Sequence, residues 1–546
     1  MKTKRKICVI DAETDPFNHG DQIYPFCWGF YDGEIYIKFW GENCTIELIE
    51  YLQTRKDELL IYAHNGGKFD FFYLIDWCSS PIKIINGRIV SVRIAHHELR
   101  DSFSIIPVSL AAYQKDAIDY SKFTRMAREK NKAEILRYLE SDCFYLYTLV
   151  IGFADRFGSK LTIGSVAITE ISKFHPFQRQ NETHDIKFRA WYFGGRCECF
   201  DAGDLRGDWK VYDVNSMYPF VMRDRNHLSG KNYVSVNNAN DRLDRNGYFT
   251  HDKTRPYLAR IIADSRGALP YRHTDKSLVF PYGINEYHAT SHEIQTAIKN
   301  DLLKIISVEE LHVCLEPINF SVFVDTYYRE RIAAKKSGDR ISELFSKFLL
   351  NSGYGKFGTN PANFSEWHIR QTGDPHPGWD WILHSEIGTV EIYSKPTPAE
   401  RWSYFDVATA ASITGAARAV LLNAIPKSSR LIYCDTDSII AENLGSDSSD
   451  TDLGGWKLEA RADTALITGK KQYALYNQNG SPIDGKNTVK IASKGIKATL
   501  KDMQRIARGE IVRYDNPAPS FSLTRGVRYI SREVKFNARI ENHVQV

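Results

Sequence analysis

Six consecutive residues, Tyr433-Cys434-Asp435-Thr436-Asp437-Ser438, constrain this chain more than any other stretch. Leu431 and Ile432 precede them and Ile439 and Ile440 follow, which predicts a strand, a tight acidic turn and a second strand. Two carboxylates two residues apart at a hairpin tip repel, and one would normally take up a proton. A divalent cation removes that conflict. Read alone, the hexapeptide also fits a solvated Asx-type turn. Acidic partners elsewhere in the chain decide between the two.

Four further carboxylates stand out before residue 155. Residues 6–10 form a short apolar strand that runs into Asp11-Ala12-Glu13. Positions i and i+2 of a strand share a face, so Asp11 and Glu13 point the same way. Residues 61–70 lead an apolar strand through Gly66-Gly67 to Asp70, which joins the apolar helix or strand of residues 71–74. The pattern Ile135, Leu136, Leu139, Phe144, Leu146 is helical, and it carries Tyr138 and Asp142 at i and i+4 on one face. Asp11, Glu13, Asp70 and Asp142 are the donor set of a two-metal phosphodiesterase site, where cations about 3.5–4 Å apart need several hard oxygens. Tyr138 can orient the attacking water.

A second set lies downstream. Residues 209–219 read as an apolar strand that ends at Asp213, with Pro219 stopping further pairing. Residues 325–357 read as one helix, with Ile341, Leu344, Phe345, Phe348 and Leu349 on its apolar stripe. Lys347, Asn351 and Tyr354 share another face, with Lys335 three turns earlier. Cations on one face can hold a triphosphate, and an aromatic at the end can stack on a base pair. Gly353 predicts that this helix ends or bends there, since an interior glycine costs roughly 1 kcal/mol. Paired glycines in Trp191-Tyr192-Phe193-Gly194-Gly195-Arg196 allow close backbone approach and offer amides to a phosphate.

Composition narrows the class. With 546 residues there is room for several domains at roughly 100–200 residues each. The nine cysteines are scattered and complete no zinc pattern, which predicts reduced thiols in an intracellular protein. No apolar run reaches the roughly 18 residues of a membrane span. The apolar residues 7–10 end at Asp11, too short for a signal peptide. Residues 501–546 hold nine Lys/Arg against five Asp/Glu, a basic module that suits a phosphate backbone or a solvated surface.

The acidic signals in residues 1–155 resemble, in order and context, the three motifs of the proofreading 3′–5′ exonuclease of the DnaQ-like, RNase H-like fold. The resemblance implies Asp11 and Glu13 in the first motif, Asn65 and Asp70 in the second, and Tyr138 and Asp142 in the third. Asp101-Ser102-Phe103 is similar to the single-strand-binding motif of protein-primed polymerases, with Phe103 where leucine is usual. Residues 115–120 look like that family's lysine motif. These matches imply phosphate contact by Lys115 and DNA contacts by Asn65, Phe69, Ser102 and Tyr120.

The remaining segments resemble family B DNA polymerase motifs in the family's order. Tyr192, Gly194 and Gly195 match the Tyr-x-Gly-Gly motif, which contacts template. Residues 209–219 match motif A, implying that Asp213 and the Val214 backbone hold metal and triphosphate, that Ser216 meets DNA, and that Tyr218 rejects a 2′-hydroxyl. Residues 347–355 match motif B, implying nucleotide contacts by Lys335, Lys347, Asn351 and Tyr354, and DNA contacts by Ser352 and Gly355. Residues 414–418 match the Thr-x-x-Ala-Arg motif, whose Arg418 contacts DNA. Lys471 and Tyr473 match the Lys-x-Tyr motif that grips the primer, with Lys494-Gly495 continuing it. Segments 224–322 and 359–402 hold strand-like pieces (257–262, 278–280 and 305–311; then 379–383 and 389–393) and resemble the two terminal-protein regions of protein-primed polymerases. In that family the first docks the priming protein. The second closes a ring around DNA.

The chain is therefore identified as resembling a protein-primed family B DNA polymerase. The expected fold is a multidomain α+β and α/β assembly: an RNase H-like exonuclease and a right-hand polymerase with two insertions. Expected boundaries are 1–155 exonuclease, 156–205 linker and start of palm, 206–223 palm, 224–322 first insertion, 323–358 fingers, 359–402 second insertion, 403–495 palm and 496–546 thumb. The expected activity is DNA-directed DNA synthesis from a protein primer, with strand displacement and 3′–5′ proofreading. The resemblance implies two Mg²⁺ per site, with Mn²⁺ as a substitute. Asp213 and Asp437 hold them in the polymerase, with Asp435 beside them. Asp11, Glu13, Asp70 and Asp142 hold them in the exonuclease. Expected partners are DNA primer-template, dNTPs and a separate priming protein, with a monomer in the host cytoplasm and no membrane. Two alternatives stand beside this: the same fold using an ordinary nucleic-acid primer, and a non-catalytic DNA-binding replication factor.

Overall fold

The computed structural model describes residues 5–15, 24–445, 449, 452–515, 520–523, 526–528 and 530–538. Two seven-stranded sheets dominate it. The first has the order Tyr36–Trp40, Pro25–Tyr31, Lys6–Thr14, Leu59–Ala63, His97–Asp101, Arg88–Ile94, Cys78–Ile85. Lys6–Thr14, Leu59–Ala63 and His97–Asp101 run parallel at its centre, and the outer strands are antiparallel. A central strand covered on both faces is apolar throughout, and Leu59–Ala63 is buried at every position. Alternation along Lys6–Thr14 sends Val9 to the core of the long helix Lys132–Phe157, while Cys8 and Ile10 meet helix Cys44–Thr54 on the other face. Asp11 and Glu13 inherit the parity of Val9 and so face the long helix.

The second sheet is antiparallel throughout. Its order is Val489–Ser493, Gln472–Tyr476, Trp456–Gly469, Gly203–Val214, Ser438–Ala441, Tyr433–Asp435, Cys197–Cys199. It puts the Asp213 strand next to the acidic hairpin. Pairing of that strand ends at Val214, and Pro219 falls in the first turn of helix Met217–Asp224, where a proline is tolerated. One hydrophobic core joins helix Lys132–Phe157 of the first unit to the helices that cover the second sheet.

Several expectations are corrected. Residues 325–357 are two helices, Ser321–Ser337 and Arg340–Phe357. Gly338 closes the first in the left-handed region (φ 75°), and the Asp339 side chain caps the second by accepting from the Ser342 amide at 3.1 Å. Lys335 and Lys347 therefore lie on different helices. Gly353 does not end its helix, which continues to Phe357. It lets helix Ile163–Phe174 approach, because a Cβ there would collide with Ile171. Helix Val407–Ala424 has the length and, over Val407–Lys427, the mean hydropathy (1.3) of a membrane span, although its interspersed Thr, Ser, Gly and Arg break any continuous apolar run. It is a core helix, 83% buried over that window.

The first insertion is a four-stranded sheet, Tyr233–Asn237, Leu303–Cys314, Tyr257–Arg266, Tyr282–Thr290, with helix Ser291–Lys299 packed on it. The second is a three-stranded sheet, Ser365–Gln371, Val390–Pro396, Ile382–Ile387. It is seated against the first unit. Gln371 Nε2 donates to the Asp76 carbonyl (2.7 Å), the Thr389 amide donates to Asp76 Oδ1 (2.6 Å), and Ile369, Val390 and Ile392 join the first unit's core. Leu523, from the C-terminal segment, enters the same core. Of that segment, residues 516–519, 524–525, 529 and 539–546 lie outside the described residues.

Candidate active sites

The first site forms where strand Lys6–Thr14 meets helix Lys132–Phe157. Oxygens of Asp11, Glu13 and Asp142 lie within 4.8 Å of one another. Among the described residues this is the one group of three that could hold an ion. Asp70, only 2% exposed, opens the short helix Asp70–Tyr73 beside them. Gly66-Gly67 makes that approach possible: a Cβ on Gly67 would strike the Ile89 carbonyl. Asn65 turns the chain in the left-handed region and accepts from Arg88 at 2.8 Å.

Burial, and then the Asp142 charge, raises Asp11 to about 7. Burial and Asp11 raise Glu13 and Asp70 well above the usual range. Asp70 Oδ1 and Asp142 Oδ1 are buried with no hydrogen-bond partner. Buried carboxylate oxygens without donors are strongly unfavourable, and this set of hard oxygens fits divalent cations. Lys115 supplies partial compensation, with Nζ 3.0 Å from Asp142 Oδ2 and 5.2 Å from the Tyr138 ring centre. Tyr138 and Tyr120 share a 3.1 Å hydroxyl contact, and Tyr120 is exposed.

The second site is at the acidic hairpin. Asp213 pairs in register with Ser438, and the Val214 amide donates to the Asp437 carbonyl at 2.8 Å, which sets Asp213 beside Asp437. Burial, then Asp437, raises Asp213 to about 7, and burial raises Asp437. Asp435 is turned away to Lys471, whose Nζ lies 2.8 and 2.9 Å from its two oxygens. Asp213 and Asp437 open into a cavity of about 990 Å³ that Lys335, Lys347, Asn351 and Tyr354 also line. Tyr218 stacks flat on Tyr354 at 3.8 Å between ring centres. The predicted nucleotide residues from both helices and the sheet are thus brought to one cavity.

Among the cavity residues that escaped the sequence reading are Arg331, Lys457 and Glu459. Arg331 donates to Ser216 Oγ at 3.3 Å. It precedes Lys335 by four residues, so the helical stripe could have revealed it. Glu459 is the extra residue of a bulge, since Leu458 pairs with Tyr212 and Ala460 with Val211. A bulge re-aims a side chain, and no sequence signal announces it. Lys490 pairs with Glu459 at 3.0 Å.

Two residues expected to contact DNA lie buried. Ser102 is fully buried; its hydroxyl binds His64 Nδ1 (2.9 Å) and the Ala63 carbonyl (3.2 Å), so it fixes a strand end. Arg418 is 2% exposed; its Nε donates to Glu293 and its Nη1 to the carbonyls of Phe193 and Gly194, while Nη2 is buried without a partner. It holds the Tyr192–Gly195 loop from behind, and solvent does not reach it. Gly194, Gly355 and Lys471 are exposed, whereas Phe69, Tyr192, Gly195, Ser216, Ser352 and Tyr473 are half-buried.

The raised carboxyls give a pH prediction. Folded values near 7 against about 4 unfolded mean that, between those limits, the folded chain binds more protons than the unfolded one. In chelator these groups therefore lend least stability above pH 7 and penalise the fold less as pH falls towards 4. Mg²⁺ is expected to raise Tm by about 5 °C at pH 8 and by much less at pH 5.5. Equal shifts at both pH values would contradict the assignment of these carboxylates as ion ligands.

The family model for DNA polymerase type B, organellar and viral, matches residues 111–395. The chain is 39% identical to the DNA-directed DNA polymerase of Enterobacteria phage PRD1, covering 98% of both. It is 26% identical to a probable DNA polymerase of Neurospora intermedia, over 68% of this chain and 41% of that one. Its fold is similar to that of phi29 DNA polymerase complexed with primer-template DNA, with a TM-score of 0.72, 17% identity, and coverage of 98% of this chain and 100% of that one. That likeness shows a shared fold over nearly the whole of both chains.

Proposed function

This chain belongs to the organellar and viral type B DNA polymerases, and we propose that it copies a linear genome from a protein primer, displaces the strand ahead, and proofreads its own 3′ ends. The observation that carries this reading is the pair of acidic centres, one built at each seven-stranded sheet, in a single chain with a shared core.

In synthesis, Asp213 and Asp437 would hold Mg²⁺ together with the Val214 backbone. Bound there, it would supply Lewis-acid chemistry for the attacking hydroxyl and the leaving pyrophosphate. Lys335, Lys347 and Arg331 draw the triphosphate into the cavity. The Tyr218–Tyr354 stack forms a flat wall against the nucleotide, which excludes a 2′-hydroxyl. Lys471 reaches the primer terminus and also neutralises Asp435. In degradation, Asp11, Glu13, Asp70 and Asp142 would hold the ions, with Lys115 offsetting the carboxylate charge and contacting phosphate and Tyr138 orienting water. Tyr120, exposed beside Tyr138, meets the frayed end.

The insertions support the remaining parts of the reading. The first stands as a separate sheet beside the synthesis unit, a surface for the priming protein. The second bridges the exonuclease core towards the C-terminal segment, as a ring around DNA requires. The test is extension of a primed single-stranded circle with Mg²⁺ alone and a blocking duplex ahead. Products that pass the block are expected. Stalling at the block would remove the ring role of residues 359–402, and no incorporation by folded protein would overturn the proposal.

A further inference from the structure

Glu293 belongs to the first insertion, yet its carboxylate reaches the synthesis unit. Its Oε2 is occupied within its own helix end: it accepts from the Thr290 amide (3.1 Å) and hydroxyl (2.8 Å) in a capping box. Capping accounts for that oxygen alone. Its Oε1 accepts from Arg418 Nε at 2.7 Å, and the two side chains are 1% and 2% exposed. Gly415, one turn before Arg418, has no room for a Cβ against Thr290 and Glu293, so the two helices meet closely at this point.

Arg418 passes the contact on. Its Nη1 donates to the carbonyls of both Phe193 and Gly194 at 2.8 Å. The next residue, Gly195, abuts the acidic turn: a Cβ there would lie 2.9 Å from Thr436. Thr436 is held in the left-handed region (φ 58°), and its amide donates to the Arg196 carbonyl at 2.6 Å. Arg196 in turn lies under the Phe280 ring of the same insertion, at 4.1 Å. Both ends of the 193–196 loop are thus held by arginines that the first insertion engages.

We propose that Glu293 is a positioning residue for synthesis: through Arg418 the first insertion sets the loop at Phe193–Gly195, and with it the turn that carries Asp435 and Asp437. This rests on the reading of that loop and turn as part of the synthesis site. A buried charge pair is sensitive to loss of one partner, because the other is left unpaired. Glu293→Gln keeps the side-chain shape and an oxygen for the cap, and removes the charge from Arg418.

The test is steady-state extension of a primer-template by the full chain, with KM for primer-template and kcat determined separately, and with degradation measured on the same substrate. Glu293→Gln is expected to raise that KM about tenfold and to shift the balance from synthesis towards degradation. Arg418→Lys is expected to do the same, and the double variant to equal either single one. A misfolded fraction lowers kcat and leaves KM alone, so loss of fold does not imitate this result. Glu286→Gln, which breaks the surface pair with Arg260 in the same insertion, is expected to behave as wild type. Wild-type KM and balance in Glu293→Gln, or additive effects in the double variant, would overturn the proposal. A wild-type chain that incorporates no nucleotide would instead overturn the assignment of the synthesis site itself.

Discussion

Asp437→Ala is expected to cut nucleotide incorporation by about a thousandfold or more while leaving 3′–5′ degradation at the wild-type level. The size follows from the site. Asp437 and Asp213 are the two carboxylates facing the cavity whose protons burial holds on. Removing one takes away one of the two carboxylate ligands for ions that would supply several kcal/mol of transition-state stabilisation, at about 1.4 kcal/mol per factor of ten. Asp435 cannot replace it, because Lys471 occupies both of its oxygens. The selectivity follows from the fold: Asp11 and Glu13 lie on a strand of the other sheet, and Asp70 and Asp142 on helices packed beside it. Equal loss of both activities would show that the two centres are not separate.

The reciprocal variant, Asp11→Ala with Glu13→Ala, is expected to reduce degradation by a comparable factor and to spare synthesis. It leaves Asp142 paired with Lys115 and removes two of the three oxygens that converge within 4.8 Å. These side chains repel one another in the metal-free fold, so their removal is also expected to stabilise it. Raised Tm in chelator together with lost degradation separates a site defect from misfolding. Retained degradation in this double variant would remove the exonuclease assignment.

What could be read in the chain depends on how local the determinant is. Asp11 and Glu13 share a face because strand alternation requires it, and Val9 confirms the parity by its core contacts. Tyr138 and Asp142 follow from helical spacing, and the acidic hairpin from its flanking apolar residues. Other features arise only from tertiary contact. Glu459 is brought to the cavity at a bulge, and strand pairing alone determines where that falls. Arg418 and Ser102 sit in motifs that suggested DNA contact, but their surroundings bury them and turn both into supports for neighbouring backbone. Gly353 looked like a helix breaker, and Ile171, nearly two hundred residues earlier in the chain, explains it as a close-packing position. The break at Gly338-Asp339 was legible in principle, since a glycine stop followed by an aspartate cap is a local signal.

Whether one chain joins synthesis and degradation at two separate acidic centres is decided with a 5′-labelled primer that ends in a 3′ mismatch, annealed to template with Mg²⁺. Without dNTPs the wild-type chain is expected to shorten the primer from its 3′ end, and with dNTPs to give full-length product from which the mismatch is gone. Asp437→Ala should only shorten it, and the Asp11→Ala, Glu13→Ala variant should extend it with the mismatch retained. Wild-type product that keeps the mismatch, or either variant losing both activities while folded, would contradict the claim.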